Sequence, residues 1–286
     1  MKSKQYFGIL LTASIFLLSC SDSTPVNNDP INEGNDTVPT EREWQLVWSD
    51  EFDDNNLDTD KWSYQIGTGQ SEGLTAWGNN ELQYYTDREE NVFIEDGKLH
   101  ITAHRENYNG MRYTSARLRT LNKGDWQYGR VEVRAKMPEG QGIWPAIWML
   151  PTDNSFGTWP KSGEIDIMEL VGHEPETIHG TVHYGPDWPQ NQQKTTSVTL
   201  DEGTFADEFY TFSIEWKQSE IKWFLDGEHF FTITPNDLSP HNYPFNARFH
   251  LLLNLAVGGN WPGNPDETTQ FPQTMIVDYV RVYQYL

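Results

Sequence analysis

Three acidic side chains lie within one short apolar stretch, residues 163–170 (GEIDIMEL). The acids are Glu164, Asp166 and Glu169. Successive side chains of a regular strand point to opposite faces, so Glu164 and Asp166 share a face and Glu169 would fall on the other. A β-bulge at Ile167-Met168 would add one residue and return Glu169 to the face of the other two acids. The spacing therefore predicts a bulged strand with three carboxylates on one surface.

Two carboxyl groups that flank one bond are the usual catalytic groups of a glycosidase. One acts as nucleophile or base, and the other donates a proton and has a raised pKa. The charge of Asp166 would help to keep Glu169 protonated while Glu164 stays ionised. Two other interpretations are a solvated acidic edge strand and a metal site. The apolar residues between the acids argue against the first. Against the second, the motif contains no His at ligand spacing, and sites for hard cations usually draw on loops.

The elements that must position these acids have the periodicity of strands. From Trp44 onward apolar residues recur mainly at every second position, as in Gly129–Met137, which is typical of half-buried strands. Asp226-Gly227 between two apolar runs predicts a hairpin with a type I′ turn. Many short strands without helical spacing predict an all-β fold, an antiparallel β-sandwich or jelly roll. Curvature of such a sheet would place the acids in one concave substrate cleft.

Asp278 breaks the pattern of its own strand. It lies on the face that it shares with the apolar Ile276, Val280 and Val282, where an unpaired carboxylate would be costly. Its partner could be an Arg or Lys, or a bound Ca²⁺. The acidic stretch 50–58 lacks the Gly and the terminal Glu of an EF-hand loop, so we interpret most of it as a polar turn.

The composition limits the partners of the protein. The 286 residues are 36% hydrophobic and 14% aromatic, which is enough for a sizeable core. A formal net charge of −22 argues against nucleic acid or an anionic membrane surface as partner, because phosphate binding needs a basic face. A neutral substrate fits this charge better. The abundant Trp and Tyr side chains serve core packing and also offer flat faces to sugar rings.

The N-terminal segment has the features of an export signal. Lys2 and Lys4 precede an apolar run, Phe7–Leu18, that is too short to span a membrane. The run ends in LLSC, which is similar to the lipobox of bacterial lipoproteins, and Cys20 is the only cysteine. We expect a lipoprotein signal peptide at 1–19, a lipidated Cys20 with a flexible tether at 20–41, and a catalytic domain at 42–286. The protein would be exported and anchored by this lipid to a bacterial membrane, with the cell surface as one option.

Seven segments spread over residues 44–286 carry a resemblance to one enzyme family. These segments are Tyr113–Arg117, Tyr128–Arg134, Gly142–Leu150, Glu164–Glu169, His179–Gly185, Asn254–Gly263 and Val277–Tyr283. With them the chain resembles glycoside hydrolase family 16, and the likeness is greatest to bacterial endo-β-1,3-glucanases, or laminarinases. The Trp-Pro segments and Gly-Gly-Asn-Trp favour that branch over agarases and carrageenases. Ala116 departs from the pattern, because a Gly is expected before the Arg.

The resemblance implies a jelly roll whose concave face holds the cleft, and retaining, endo-acting hydrolysis of laminarin-type glucans. Glu164 would be the nucleophile and Glu169 the acid and base, about 5 Å apart, with Asp166 tuning both. The residues that would contact the substrate are Arg117, Trp144, Trp148, Trp159, His183, Asn254 and Trp261. For the tryptophans at 144, 148 and 159 the alternative is core packing, and for His183 it is a satisfied surface histidine.

The resemblance implies no cofactor for catalysis. It implies a structural Ca²⁺ on the convex side, bound by Glu51, Gly97 and Asp278, on which stability rather than catalysis depends. We expect a monomer that contacts a membrane through its N-terminal lipid only.

Two other functions stay open at this point. The same mechanism could act on mixed-linkage β-1,3-1,4-glucan or on an algal galactan, although galactans are often sulfated and would call for a basic cleft. A non-catalytic glucan-binding surface lipoprotein is the alternative from another class, and the presence of all three acids argues against it.

Overall fold

The computed structural model describes residues 43–285 of the chain. The predicted signal peptide, Cys20 and the tether lie outside the described residues. Three short 3₁₀ helices, Gln70–Glu72, Ala76–Gly78 and Pro235–Leu238, are the helices of this part of the chain. Within residues 43–285 no helix is long and apolar enough to cross a lipid bilayer.

Strands are the main regular elements of the described chain. In chain order they are β1 (Trp44–Asp50), β2 (Ser63–Tyr64), β3 (Gln83–Tyr85), β4 (Val92–Glu95), β5 (Lys98–Ala103), β6 (Tyr113–Ser115), β7 (Arg117–Arg119), β8 (Asp125–Trp126), β9 (Gly129–Lys136), β10 (Ile143–Pro151), β11 (Glu164–Glu169), β12 (Thr177–Tyr184), β13 (Gln192–Thr199), β14 (Tyr210–Lys217), β15 (Glu220–Leu225), β16 (Glu228–Ile233), β17 (Phe249–Val257) and β18 (Gln273–Tyr285).

Two antiparallel sheets form a sandwich. The sheet that carries the acidic motif, here the front sheet, has the order β13-β12-β11-β10-β17-β7-β2, and β8 also pairs with β17. The back sheet has the order β16-β15-β14-β9-β18-β5-β4, and β1 also pairs with β18. Strands β3 and β6 form a separate parallel pair. Neighbours in each sheet are often distant in sequence, as in a jelly roll, and the predicted all-β sandwich is confirmed.

The local patterns predicted from the sequence form the expected elements. In β9 the alternating Val131, Val133 and Ala135 are fully buried. The hairpin of β15 and β16 turns at Asp226-Gly227, with φ values of 48° and 84°. A type I′ turn requires φ > 0 at both central residues, so this prediction is confirmed.

The core between the sheets contains four of the tryptophans. These buried side chains are Trp62, Trp126, Trp216 and Trp223. They pack with aliphatic residues of both sheets, and each large apolar side chain buried in this way contributes on the order of 2 kcal/mol. Trp144, Trp148 and Trp159, for which core packing is the alternative, are not among them.

The predicted bulge is present in β11. Towards β10, Met168 pairs with Ile147 and Asp166 pairs with Trp148, so that Ile167 is the extra residue. Behind the bulge, the indole N–H of Trp223 on the back sheet donates a 2.8 Å hydrogen bond to the backbone carbonyl of Asp166. The acidic strand is thereby joined to the core at the point where its regular pairing is interrupted.

Candidate active site

The three acids of β11 lie on the face of the front sheet that points away from the back sheet. Ile165 and Met168 between them are fully buried in the core, on the other face of the strand. Asp166 is only 2% exposed, although it is charged. The bulge therefore brings Glu164 and Glu169 to one surface, as the spacing of the motif predicts.

A tryptophan holds each glutamate. The indole N–H of Trp159 donates to Glu164 Oε2 at 3.0 Å, and that of Trp144 donates to Glu169 Oε1 at 3.1 Å. Trp159 comes from the loop before β11, and Trp144 comes from the adjacent strand β10. Each donor restricts the rotation of one carboxylate and stabilises its charged form.

His183 joins the acids from the neighbouring strand β12. The strand register places it opposite Glu164. Its Nε2 lies 3.3 Å from Asp166 Oδ2 and 3.6 Å from Glu164 Oε1. Burial lowers the pKa of His183, but the contact with Asp166 and the negative charges around it outweigh burial and raise the pKa to about 10. His183 is therefore a cation between two carboxylates, which differs from a satisfied surface histidine.

The surroundings raise the pKa of both outer glutamates. Burial is the largest cause and the charge of Asp166 the second, and together they bring the pKa of Glu164 to about 7. The same two causes raise the pKa of Glu169 well above its usual range, and the charge of Glu164 raises it further. Asp166 thus raises the pKa of both glutamates, as the resemblance implies. Ionisation of Glu164 favours a protonated Glu169, and this gives the two groups different roles.

The cluster also offers donor atoms that a metal ion could use. Among residues 43–285, Glu164, Asp166 and His183 form the group of three whose donor atoms lie within 4.8 Å of one another. The sequence motif did not reveal this because His183 belongs to β12. An ion there would occupy the carboxylate that a glycosidase needs as a free nucleophile, so the arrangement suits acid–base chemistry with two glutamates better.

Three of the predicted contact residues form one network beside the acids. The indole N–H of Trp148 donates to Asn254 Oδ1 at 2.7 Å. The guanidinium of Arg117 lies between two indole rings, 4.7 Å from the centre of Trp148 and 4.5 Å from that of Trp77. Arg117 and Asn254 are buried.

Sequence reasoning missed the residues that support this network. Arg117 Nε donates to Gln65 Oε1 at 2.6 Å, and Asn254 Nδ2 donates to the hydroxyl of Tyr85 at 3.2 Å. Glu81 is only 5% exposed and accepts hydrogen bonds from Gln83 at 2.7 Å and from Tyr85 at 3.3 Å. Burial raises the pKa of Glu81, while the positive charge of Arg117 opposes the rise. Glu81 has no local motif, and the only signal was its position before the Gln83–Tyr85 strand.

Two tryptophans, each 42% exposed, flank the acidic cluster on opposite sides. Trp159 lies beside Glu164, with its ring 6.0 Å from that of His183. Trp261 lies 5.6 Å from Trp144, which holds Glu169, and is nearly perpendicular to it. Flat rings at both ends of the glutamate pair can stack against the sugars on either side of a scissile bond.

The predicted calcium ligands are engaged by cations of the protein. Glu51 accepts two hydrogen bonds from Arg281, at 2.9 and 2.7 Å. Asp278 pairs with Arg134, and Lys98 lies 3.9 Å away. Of the two partners that the sequence left open for Asp278, the structure shows the arginine. In this arrangement each of the two carboxylates is paired with an arginine of the protein. Gly97 lies in a turn with φ of 67°.

Comparisons with known proteins agree with this geometry. The sequence model of a family described as glycosyl hydrolases family 16 matches residues 78–281. The chain is 41% identical over 275 residues to "Glucan endo-1,3-beta-glucosidase A1" of Niallia circulans, an alignment that covers 90% of this chain and 40% of that protein. It is 43% identical over 264 residues to "Beta-glucanase" of Rhodothermus marinus, with 88% and 90% covered. The solved laminarinase catalytic domain from Thermotoga maritima MSB8 is 44% identical, with a TM-score of 0.79 over 85% of this chain and 99% of that one.

Proposed function

The chain belongs to glycosyl hydrolase family 16, and we propose that it cleaves internal β-1,3-glucosidic bonds of laminarin-type glucans. Members of this family hydrolyse glycosidic bonds with retention of configuration and need no catalytic cofactor. One observation carries the proposal. Glu164 and Glu169 are brought to one face by the bulge in β11, and each accepts a hydrogen bond from a tryptophan that also borders the cleft.

The roles of the two glutamates follow from their surroundings. Glu164 is the nucleophile, because Trp159 and the cations His183 and Arg117 all stabilise its negative charge. Glu169 donates a proton to the leaving oxygen and then removes one from the attacking water, because its raised pKa keeps it protonated beside an ionised Glu164.

Asp166 and His183 position and balance these groups. Asp166 contacts His183 and raises the pKa of both glutamates. The imidazolium of His183 offsets part of the negative charge that three carboxylates bring into a buried site. Without this cation, ionisation of Glu164 would cost more.

The test is the release of reducing ends by the purified chain from laminarin, mixed-linkage glucan, cellulose and agarose. Glu164→Ala is the paired variant, and we expect its activity to fall by several orders of magnitude because the covalent route is lost. Activity on laminarin that disappears in the variant supports the proposal. Turnover of agarose alone would overturn the substrate, and binding of laminarin without turnover of any polymer would show a lectin.

We also propose that Cys20 carries a lipid that anchors the exported protein to a bacterial membrane. The support is the LLSC sequence after a short apolar run. Cys20→Ser should move the protein from the membrane fraction to the soluble fraction of a bacterial host. Equal membrane association of both proteins would contradict the anchor, and protease treatment of intact cells would show whether the domain faces outward.

The structural Ca²⁺ stays a prediction of the sequence resemblance. To bind it, Glu51 and Asp278 would have to exchange Arg281 and Arg134 for the ion. An ion bound only to the folded state would raise the melting temperature in proportion to the logarithm of its concentration. A melting temperature that is the same in EDTA and in excess Ca²⁺ would mean that the arginines hold these carboxylates in solution.

The expected monomeric state is open to measurement by light scattering in the same samples.

A further inference from the structure

Trp188 is the most exposed large apolar side chain of the described residues. Its exposed fraction is 75%. It lies in the loop 185–191 between β12 and β13, whose ends pair through Tyr184 and Gln192. A turn with a 3.0 Å hydrogen bond from the Gln190 N–H to the Asp187 carbonyl holds the tip of this loop. None of the functions described above uses this side chain.

The topology places this loop at the Glu164 end of the cleft. The loop between β10 and β11 leads directly into Glu164, and the loop 185–191 follows His183, which pairs with Glu164. In an antiparallel sheet these two hairpin connections emerge at the same end. The tip of the loop 185–191 therefore extends beyond Glu164 by the rise of a few residues, on the order of 10 Å.

An ion pair connects the two loops. Lys161 Nζ lies 2.6 Å from Asp187 Oδ2. Lys161 is two residues from Trp159, which holds Glu164, and Asp187 directly precedes Trp188. The loop of Trp159 is itself closed by hydrogen bonds of the Ser162 hydroxyl. The loop that carries Trp188 is thus joined by this ion pair to the loop whose Trp159 contacts the nucleophile.

The chemistry around Trp188 suits a neutral sugar. The sequence from 185 to 193 is GPDWPQNQQ, and its one charged residue, Asp187, is compensated by Lys161. In a chain of net charge −22 this is an uncharged surface of one flat ring and several amides. Amide groups donate hydrogen bonds to sugar hydroxyl groups and accept hydrogen bonds from them. The face of an indole packs against the C–H surface of a pyranose.

We propose that Trp188 is a platform for a glucosyl unit of the polysaccharide beyond those that contact Trp159, and that it makes the enzyme prefer long chains. The inference rests on the proposed function. A contact so far from the scissile bond binds ground state and transition state equally, so it lowers KM and leaves kcat unchanged. A substrate too short to reach the loop gains nothing from it.

The test compares kcat and KM on laminarin and on a β-1,3-linked trisaccharide. Trp188→Ala should raise KM for laminarin three- to tenfold, with kcat and the kinetics on the trisaccharide unchanged, because a stacking contact is of that strength. Trp188→Phe keeps a flat ring and should recover part of the loss. Leu46→Ala, which removes another apolar side chain that is 52% exposed but lies on the back sheet, is the control and should match the wild type.

Two results would overturn the inference by itself. Equal losses on both substrates would mean that Trp188 supports the loop structure, and unchanged kinetics on both would mean that the indole serves another partner, such as a protein. Wild-type protein without activity on any β-1,3-glucan is a different failure, since it would remove the proposed function and the platform with it.

Discussion

Replacing Trp223 with Phe tests whether the core positions the catalytic bulge. Trp223 on β15 is fully buried, and its indole N–H donates to the backbone carbonyl of Asp166 at 2.8 Å. The chain offers a closely matched control. Trp216 on the neighbouring strand β14 is also fully buried, and its indole N–H donates to the carbonyl of Phe245, also at 2.8 Å. The two residues differ in whether their partner belongs to the acidic strand.

The expected loss of stability is similar for both substitutions. Each leaves a buried carbonyl without its donor, which costs about 1–3 kcal/mol. The smaller ring leaves a cavity that costs about 1 kcal/mol more. The sum, about 2–4 kcal/mol, is below the roughly 5–15 kcal/mol of a typical domain, so both variants should fold.

The expected loss of activity differs. Without the Trp223 hydrogen bond the bulge can shift, and a displacement of about 1 Å at reacting groups can cost up to about 100-fold in rate. We expect kcat on laminarin to fall at least about tenfold in Trp223→Phe and to change less than about twofold in Trp216→Phe, where the acidic strand keeps its contact.

Urea denaturation gives the free energy of unfolding of each variant, and initial rates well below the melting temperature give kcat and KM. The expectation is refuted if the two variants are equally destabilised and both keep the kcat of the wild type. In that case β10 and β12 alone would hold the bulge, and the contact from the back sheet would serve stability only. A loss in Trp216→Phe as large as that in Trp223→Phe would refute it in another way, because general loosening of the core would explain both.

Three further predictions follow from the site. The pKa of Glu164 is raised to about 7, so kcat/KM should rise with pH as Glu164 loses its proton. It should fall again at higher pH as Glu169 loses its proton. A profile without a descending limb would contradict the role of Glu169. Trp159→Phe removes the N–H that lowers the pKa of Glu164, so the ascending limb should move to higher pH and kcat/KM should fall about tenfold, as expected for a hydrogen bond to a charged group. Glu81→Gln should lower the free energy of unfolding by about 2 kcal/mol and raise KM more than it lowers kcat, because a buried acceptor and a charge beside Arg117 are lost. If urea denaturation shows the loss of stability but KM is unchanged, Glu81 serves stability alone.

The sequence by itself determined the local elements and the acidic motif. Period-two alternation predicted strands such as β9, and Asp226-Gly227 predicted the hairpin of β15 and β16. Both features depend on backbone geometry within a few residues. The bulge in β11 was predictable for the same reason. Only one extra residue at Ile167-Met168 reconciles a core of apolar side chains with three acids on one face.

Only the tertiary structure decided which residues surround the acids. His183 reaches Asp166 through the register of β11 and β12, and Arg117 reaches Asn254 through the pairing of β7 with β17. The order of strands in a sheet and the register between them depend on packing of the whole sandwich, which alternation along one strand does not encode. The same holds for the choice of Arg134 as the partner of Asp278, and for the buried Glu81, which comes near the positive charge of Arg117 only in the folded chain.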